Sequence, residues 1–200
     1  MTVESRPGIV LASGSPRRRE LLDLLGLRFT VSPANVDETP AADEPPDAYA
    51  LRLARTKAAH VARSVGDHPV LGADTVVAVD GRILGKPLDD EEAAAMLRQL
   101  AGRSHRVHTA MGLAVNGRHA EILDTAVVRF RPLAEPEISW YVATGEPADK
   151  AGGYAVQGAG GFLVEAVEGS PQTVIGLPIH RLPDLFAACD LDIADFMGTR

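Results

Sequence analysis

The chain has 200 residues, 46% hydrophobic and 24% charged, the proportions of an ordinary globular protein. Its net charge of −7 argues against a broad nucleic-acid footprint, and an aromatic content of 4% leaves few platforms for stacking bases. No apolar run is long enough to span a bilayer, no signal-peptide stretch opens the chain, and a single cysteine, Cys189, excludes an internal disulfide. The expectation is a cytoplasmic protein with no membrane or nucleic-acid partner, folded as one unit over residues 1–200. Its two lobes would flank a cleft, and residues 1–8 and 193–200 would be mobile ends.

In chain order, an apolar strand at residues 9–11 runs into Ser13-Gly14-Ser15-Pro16, where Ser15 is placed as an N-cap and Pro16 as the first helical residue. The helix carries Leu21, Leu22, Leu24 and Leu25 and stops at Gly26. Its first turn holds Arg17, Arg18 and Arg19, although that end of a helix carries partial positive charge and ordinarily attracts acids. A bound polyanion resolves the conflict, gripped by free backbone N–H groups, the two serines and the guanidinium groups. Three solvated surface arginines are the plainer alternative.

A short strand at 29–32, an acidic loop at 33–47 and a long helix at 47–65 follow. Next come a strongly apolar strand at 69–80, a tight turn at Asp80-Gly81, and a return arm at 82–84. Asp89 and Glu92 resemble a capping box for a helix that ends at Gly102. Residues 105–115 and 119–130 form a hairpin about Asn116-Gly117. A short helix from Pro136 to Gly145, five glycines within 152–161, strands at 162–167 and 173–175, and a helix at 177–188 interrupted by Pro183 complete the chain. The class is mixed α/β, with hairpins in one lobe and a longer sheet in the other.

Two charges lie where apolar residues belong. Lys57 falls within the stripe of Leu53, Ala54, Ala58 and Val61, so it either snorkels outward or meets an anion. Asp74 interrupts the apolar strand between Val70-Leu71-Gly72-Ala73 and Val76-Val77, which calls for a partner, a hydrogen bond or a metal. A general base or a metal ligand is the functional reading, and an Asx-type turn ending the strand is the structural one. The hairpin at 80–81 would return Lys86 towards Asp74, and Glu38 in the acidic loop is a candidate ligand for a divalent ion. Gln157, between glycines, carries a donor and an acceptor suited to a base edge, or else lies in an exposed turn. The six histidines are scattered and form no metal set.

Several motifs in order resemble the Maf family of nucleoside triphosphate pyrophosphatases: residues 11–18 (Leu-Ala-Ser-Gly-Ser-Pro-Arg-Arg), 72–77 (Gly-Ala-Asp-Thr-Val-Val), Gly-Lys-Pro at 85–87, Asp-Lys-Ala-Gly-Gly-Tyr at 149–154, Val-Gln-Gly at 156–158 and Val-Ile-Gly-Leu-Pro at 174–178. The resemblance implies a two-lobed α/β fold related to the inosine triphosphate pyrophosphatases, with a central sheet and the site in the cleft. It implies hydrolysis of a nucleoside triphosphate to monophosphate and pyrophosphate with a divalent cation, Mg²⁺ or Mn²⁺, and suggests a homodimer. Asp74 matches the family's proton acceptor, and Arg17, Thr75 and Gln157 match positions tied to base selectivity, in the combination of the subgroup acting on dTTP and UTP. Ser13, Ser15, Arg18, Glu38, Lys57 and Lys86 match other polar positions. On this reading Ser13, Ser15 and Arg18 grip phosphate, while Lys57 and Lys86 neutralise the charge that develops during phosphoryl transfer. A nucleotidyltransferase with a similar N-terminal loop, and a non-catalytic nucleotide-binding regulator of cell division, are the alternatives.

Overall fold

A computed structural model describes residues 8–198. One mixed sheet of seven strands runs through it, in the order β2 (Phe29–Val31), β1 (Ile9–Leu11), β3 (Val70–Val79), β5 (Ser104–Val115), β6 (Arg118–Phe130) and β7 (Val164–Glu168), with β4 (Arg82–Leu84) also paired to β3. β1 lies parallel to β2 and to the first residues of β3, and the remaining pairs are antiparallel. β3 is buried at every position but Thr75, where burial is partial, which accounts for its near-continuous apolar sequence.

The two largest cores lie on this one sheet. At the β1 end, Leu11, Leu71 and Leu113 pack with Leu22 of α1 (Pro16–Leu24) and with Leu182 and Phe186 of α6 (Leu182–Ala187). At the other end, Val77, Val107 and Phe130 pack with Leu97 and Leu100 of α3 (Asp90–Leu100) and Tyr141 of α4 (Glu135–Ala143). The strands β3, β5 and β6 run from one core to the other, so the hairpins are not confined to one lobe as expected. Thr75 falls where these two cores meet, and Asp74 faces the other side of the sheet.

Helix α2 (Pro46–Ala62) crosses β3 and β5 over small residues. Gly72 and Gly112 are direct partners across these strands, and a Cβ on either would stand within 3 Å of the helix backbone at Ala54. Their bare backbones let α2 settle close to the sheet.

Three local expectations are corrected. Residues 173–175 are not a strand but part of helix α5 (Pro171–Ile175), because Pro171 after extended Ser170 starts a helical turn despite the β-branched residues behind it. Pro183 does not interrupt a long helix; it lies in the first turn of the short α6, where its missing N–H has no helical partner to lose. Residues 193–198 are not a mobile end. Ile193 and Phe196 are buried, Arg28 N donates to Phe196 O at 2.8 Å, and Gly198 N donates to Gly26 O at 2.7 Å. Residues 1–7 and 199–200 of the expected termini lie outside the described residues. Among the described residues no helix is long and apolar enough to cross a membrane.

Candidate active site

A cleft of about 600 Å³ opens between the two cores. It gathers the start of α1, the loop bearing Glu38, one face of α2, the middle of β3, the segment after β4 and the glycine-rich turn before β7. Ser13, Ser15, Arg17, Arg18, Glu38, Lys57, Asp74, Thr75, Lys86 and Gln157 all line it.

Ser15 occupies the N-cap of α1 but makes no side-chain capping bond, and the first turn contains no acid. Its hydroxyl and the first-turn N–H groups are therefore left for a ligand, at the positive end of the helix. Ser13 Oγ turns inward, accepting from Ser15 N at 3.3 Å and from Arg18 Nη1 at 2.9 Å. The three arginines divide. Arg19 is exposed and Arg17 partly buried in the cleft wall, whereas Arg18 folds beneath the site and is 9% exposed.

The guanidinium of Arg18 is largely committed. Its Nε donates to Gly176 O at 2.9 Å, Nη1 to Ala73 O at 2.8 Å as well as to Ser13, and Nη2 to Thr75 Oγ1 at 3.2 Å. Four of the five N–H donors a guanidinium carries are thus used within the protein. Arg18 thus clamps the backbone on one side of Asp74 and the side chain on the other, with one N–H left to offer a ligand in the cleft. Burial pushes its pKa down, and the nearby Asp74 carboxylate opposes that shift.

Lys57 reaches Asp74 because α2 lies so close to β3. Its Nζ is 2.6 Å from Asp74 Oδ1 and 2.8 Å from Glu38 Oε1. Asp74 is 8% exposed, and burial pushes its pKa above the usual carboxylate range against the opposing pull of Lys57 and Arg18. Its Oδ2 has no partner among the described residues. The loop bearing Glu38 is tied to α2 by Tyr49, whose hydroxyl donates to Glu38 O at 2.6 Å, and by Arg52, which donates to Thr39 O at 3.1 Å and pairs with Glu44.

Thr75, one position on, points to the other face of the sheet. Thr109 Oγ1 gives its proton to Thr173 O at 2.6 Å, so the 3.0 Å bond between the two threonine hydroxyls is donated by Thr75. Thr75 also accepts from Arg18, which leaves its hydroxyl only an acceptor to offer. Lys86 and Gln157 are exposed and make no hydrogen bond or ion pair with other described residues. Gly152 N donates to Gly85 O at 2.9 Å and so ties the glycine-rich segment to the Lys86 segment.

Sequence reasoning missed Tyr49 and Lys150. Lys150 lines the cleft and pairs with Asp149. It stands within the quoted 149–154 motif, but an exposed-looking Asp-Lys pair gives no sign of it. None of the six histidines lines the cleft, and among the described residues no three His, Cys, Asp or Glu side chains group as metal ligands. The donor set nevertheless fits a hard divalent ion, since Glu38 and Asp74 converge on the same ammonium and Mg²⁺ commonly takes one or two carboxylates plus phosphate oxygens.

Unsatisfied helix amides, uncommitted cations and a buried acid in the cleft of a mixed α/β fold define a protein built for a small phosphorylated ligand. The chain belongs to the Maf family, whose model, described as Maf-like protein, matches residues 8–189. It is 58% identical over 189 residues to a Myxococcus xanthus protein named dTTP/UTP pyrophosphatase, covering 92% of this chain and 94% of that protein. Proteins of the same name from an Anaeromyxobacter species and from Syntrophus aciditrophicus are 53% and 49% identical, covering 88% and 87% of this chain and 87% and 86% of theirs.

Proposed function

We propose that this chain hydrolyses dTTP and UTP to the nucleoside monophosphate and pyrophosphate. The observation that carries the reading is Asp74, buried, held through Oδ1 by Lys57 and with Oδ2 open, in the wall of a cleft that also contains an uncapped helix start. The names of the relatives described above support the choice of nucleotides.

In this mechanism Asp74 Oδ2 accepts a proton from water as the water oxygen attacks the α-phosphorus, and the bond from that phosphorus to the β-phosphate oxygen breaks to release pyrophosphate. Lys57 keeps Asp74 ionised and aligned. The α1 amides, Ser15 and Lys86 receive the negative charge of the departing phosphates. Arg17, Thr75 and Gln157 face the base. The acceptor-only hydroxyl of Thr75 suits an N–H donor such as the ring imide of uracil or thymine. Glu38 would hold a Mg²⁺ or Mn²⁺ ion together with phosphate oxygens, and the ion would screen phosphate charge.

The reading extends to the cytoplasm as the site of action and to a homodimer, which sedimentation of the purified protein tests. The decisive assay incubates the protein with dTTP or UTP and Mg²⁺ or Mn²⁺, without an acceptor. Equimolar monophosphate and pyrophosphate are expected. Release of orthophosphate, or turnover only with a sugar phosphate present, would overturn the proposal in favour of other chemistry, and tight binding without turnover would favour a regulator.

A further inference from the structure

Glu146 has no role in the chemistry above, yet its carboxylate accepts three hydrogen bonds beside the cleft. α4 ends at Ala143, with Thr144 as its C-cap; Gly145 takes a left-handed conformation (φ 72°), and the chain turns so that the Glu146 side chain runs back beneath the glycine-rich segment. Its Oε1 accepts from the Tyr141 hydroxyl at 2.7 Å and from Gly160 N at 2.9 Å, and its Oε2 accepts from Ala159 N at 3.0 Å. The Tyr141 oxygen in turn accepts from Ala155 N at 3.2 Å. Amides on both sides of Gln157 are therefore collected by one carboxylate and the phenol bonded to it.

The packing leaves this turn little latitude. A Cβ at Gly158 would stand 2.6 Å from Glu146 Oε2, and one at Gly160 would stand 2.2 Å from Ala155 O and 2.6 Å from the Tyr141 hydroxyl. Tyr141 itself is fully buried, so the phenol is an immobile anchor. Gln157 projects from the constrained turn into the cleft and keeps both ends of its amide uncommitted. A side chain whose backbone is so tightly held loses little further freedom when it reads a ligand, which is the physical condition for discrimination by hydrogen bonding.

We propose that Glu146, acting through Tyr141 and the amides at 155, 159 and 160, is the positioning residue that presents Gln157 to the base and so sets nucleotide preference. The inference rests on the reading of the cleft as a pyrimidine nucleotide site, and it adds a residue outside the cleft lining to the specificity apparatus. Glu146 touches no substrate; its effect passes entirely through the turn.

The test measures kcat and KM for UTP, dTTP and GTP in the wild type, Glu146→Ala, Gln157→Ala and the double variant. Glu146→Ala should raise KM for UTP about tenfold, leave kcat within about twofold, and narrow the preference for UTP over GTP, the pattern of lost ground-state positioning. The double variant should be no less selective than Gln157→Ala alone, because both changes remove one device. Glu146→Gln, which keeps one acceptor oxygen, should recover part of the loss. Should Glu146→Ala fail to fold, Tyr141→Phe keeps the buried ring, removes only the hydroxyl, and should move KM and preference in the same direction. Unchanged preference, an equal fall in kcat for every nucleotide, or additive losses in the double variant would overturn the proposal. Hydrogen exchange of the amides at 155, 159 and 160 separates this claim from the enzymatic one. Protection present in the wild type and lost in Glu146→Ala is expected even if no nucleotide is turned over, and unchanged protection refutes the clamp.

Discussion

Gly72 lies flat beneath Ala54: a Cβ on the glycine would stand 2.3 Å from the Ala54 carbonyl oxygen and 2.7 Å from Ala58 N. Both are helix backbone atoms that cannot rotate aside. Lys57 sits between these two residues in α2, so the close approach that Gly72 permits is what brings its ammonium to Asp74. Gly72→Ala should destabilise the protein by about 3 kcal/mol or more, at the upper end of overpacking losses, and should lower turnover by separating the pair. Denaturant unfolding measures the first effect and nucleotide hydrolysis the second. Gly85→Ala, where an added Cβ meets nothing within 4 Å, should unfold like the wild type.

Asp74→Asn removes the proton acceptor while keeping nearly the same shape. Turnover of UTP should fall about 10²–10⁴-fold, the range for a positioned general base. Nucleotide affinity, followed by calorimetry, should stay measurable because the α1 amides, Ser15 and Lys86 are untouched. Wild-type turnover in this variant would remove Asp74 from the chemistry.

Lys57→Met should move the acid side of the pH–rate profile upward. Burial already holds the Asp74 pKa above 3.8, and the Lys57 ammonium is the largest influence pulling it back down. Without that charge the carboxyl takes up its proton at a higher pH, and the base is lost sooner on acidification. An acid limb at the wild-type position would mean that the pair is not coupled in the working enzyme.

Arg18 distinguishes a ligand from a buttress. Were it a phosphate grip, Arg18→Met would act chiefly on KM. Its donors instead go to Ala73 O, Gly176 O, Ser13 and Thr75. The variant should therefore lower kcat more than it raises KM, as Asp74 and Thr75 lose alignment, and should destabilise the fold because buried carbonyls are left without donors, each worth roughly 1–3 kcal/mol.

The sequence is most legible where it breaks its own pattern. A lysine in an apolar helical stripe and an aspartate in an apolar strand are anomalies that any reading must explain, and the structure joins them at 2.6 Å. The same holds for a helix opening on arginines with no acid in its first turn. What stays hidden depends on approach in space. The Arg18 acceptors at Ala73 and Gly176 lie 55 and 158 residues away, and the partners of Glu146 close only when α4 meets the glycine-rich turn. Tyr49 and Lys150 violate no pattern, so nothing in the chain marks them. The segment at 173–175 misleads because three β-prone residues are too few to show a period, while the decisive signal is Pro171 just upstream.

His105 supplies a test of stability against pH that is independent of the nucleotide site. It is 3% exposed, packed edge-on against Phe130 and Tyr154, with Nε2 2.7 Å from the Tyr154 hydroxyl and Nδ1 without a partner among the described residues. Burial pushes its pKa down to about 4 from 6.5. Between those values the unfolded chain binds a proton that the folded protein refuses, so the contribution is fully present above pH 6.5 and is lost as pH falls through the folded value. The shift corresponds to ~3 kcal/mol across that window. His105→Phe keeps an aromatic ring in the cluster and removes the titration. Between pH 7 and 4, unfolding free energy should decline less steeply in the variant than in the wild type, whatever their offset at pH 7. Parallel declines would show that His105 charges inside the fold at no cost, contrary to the packing around it.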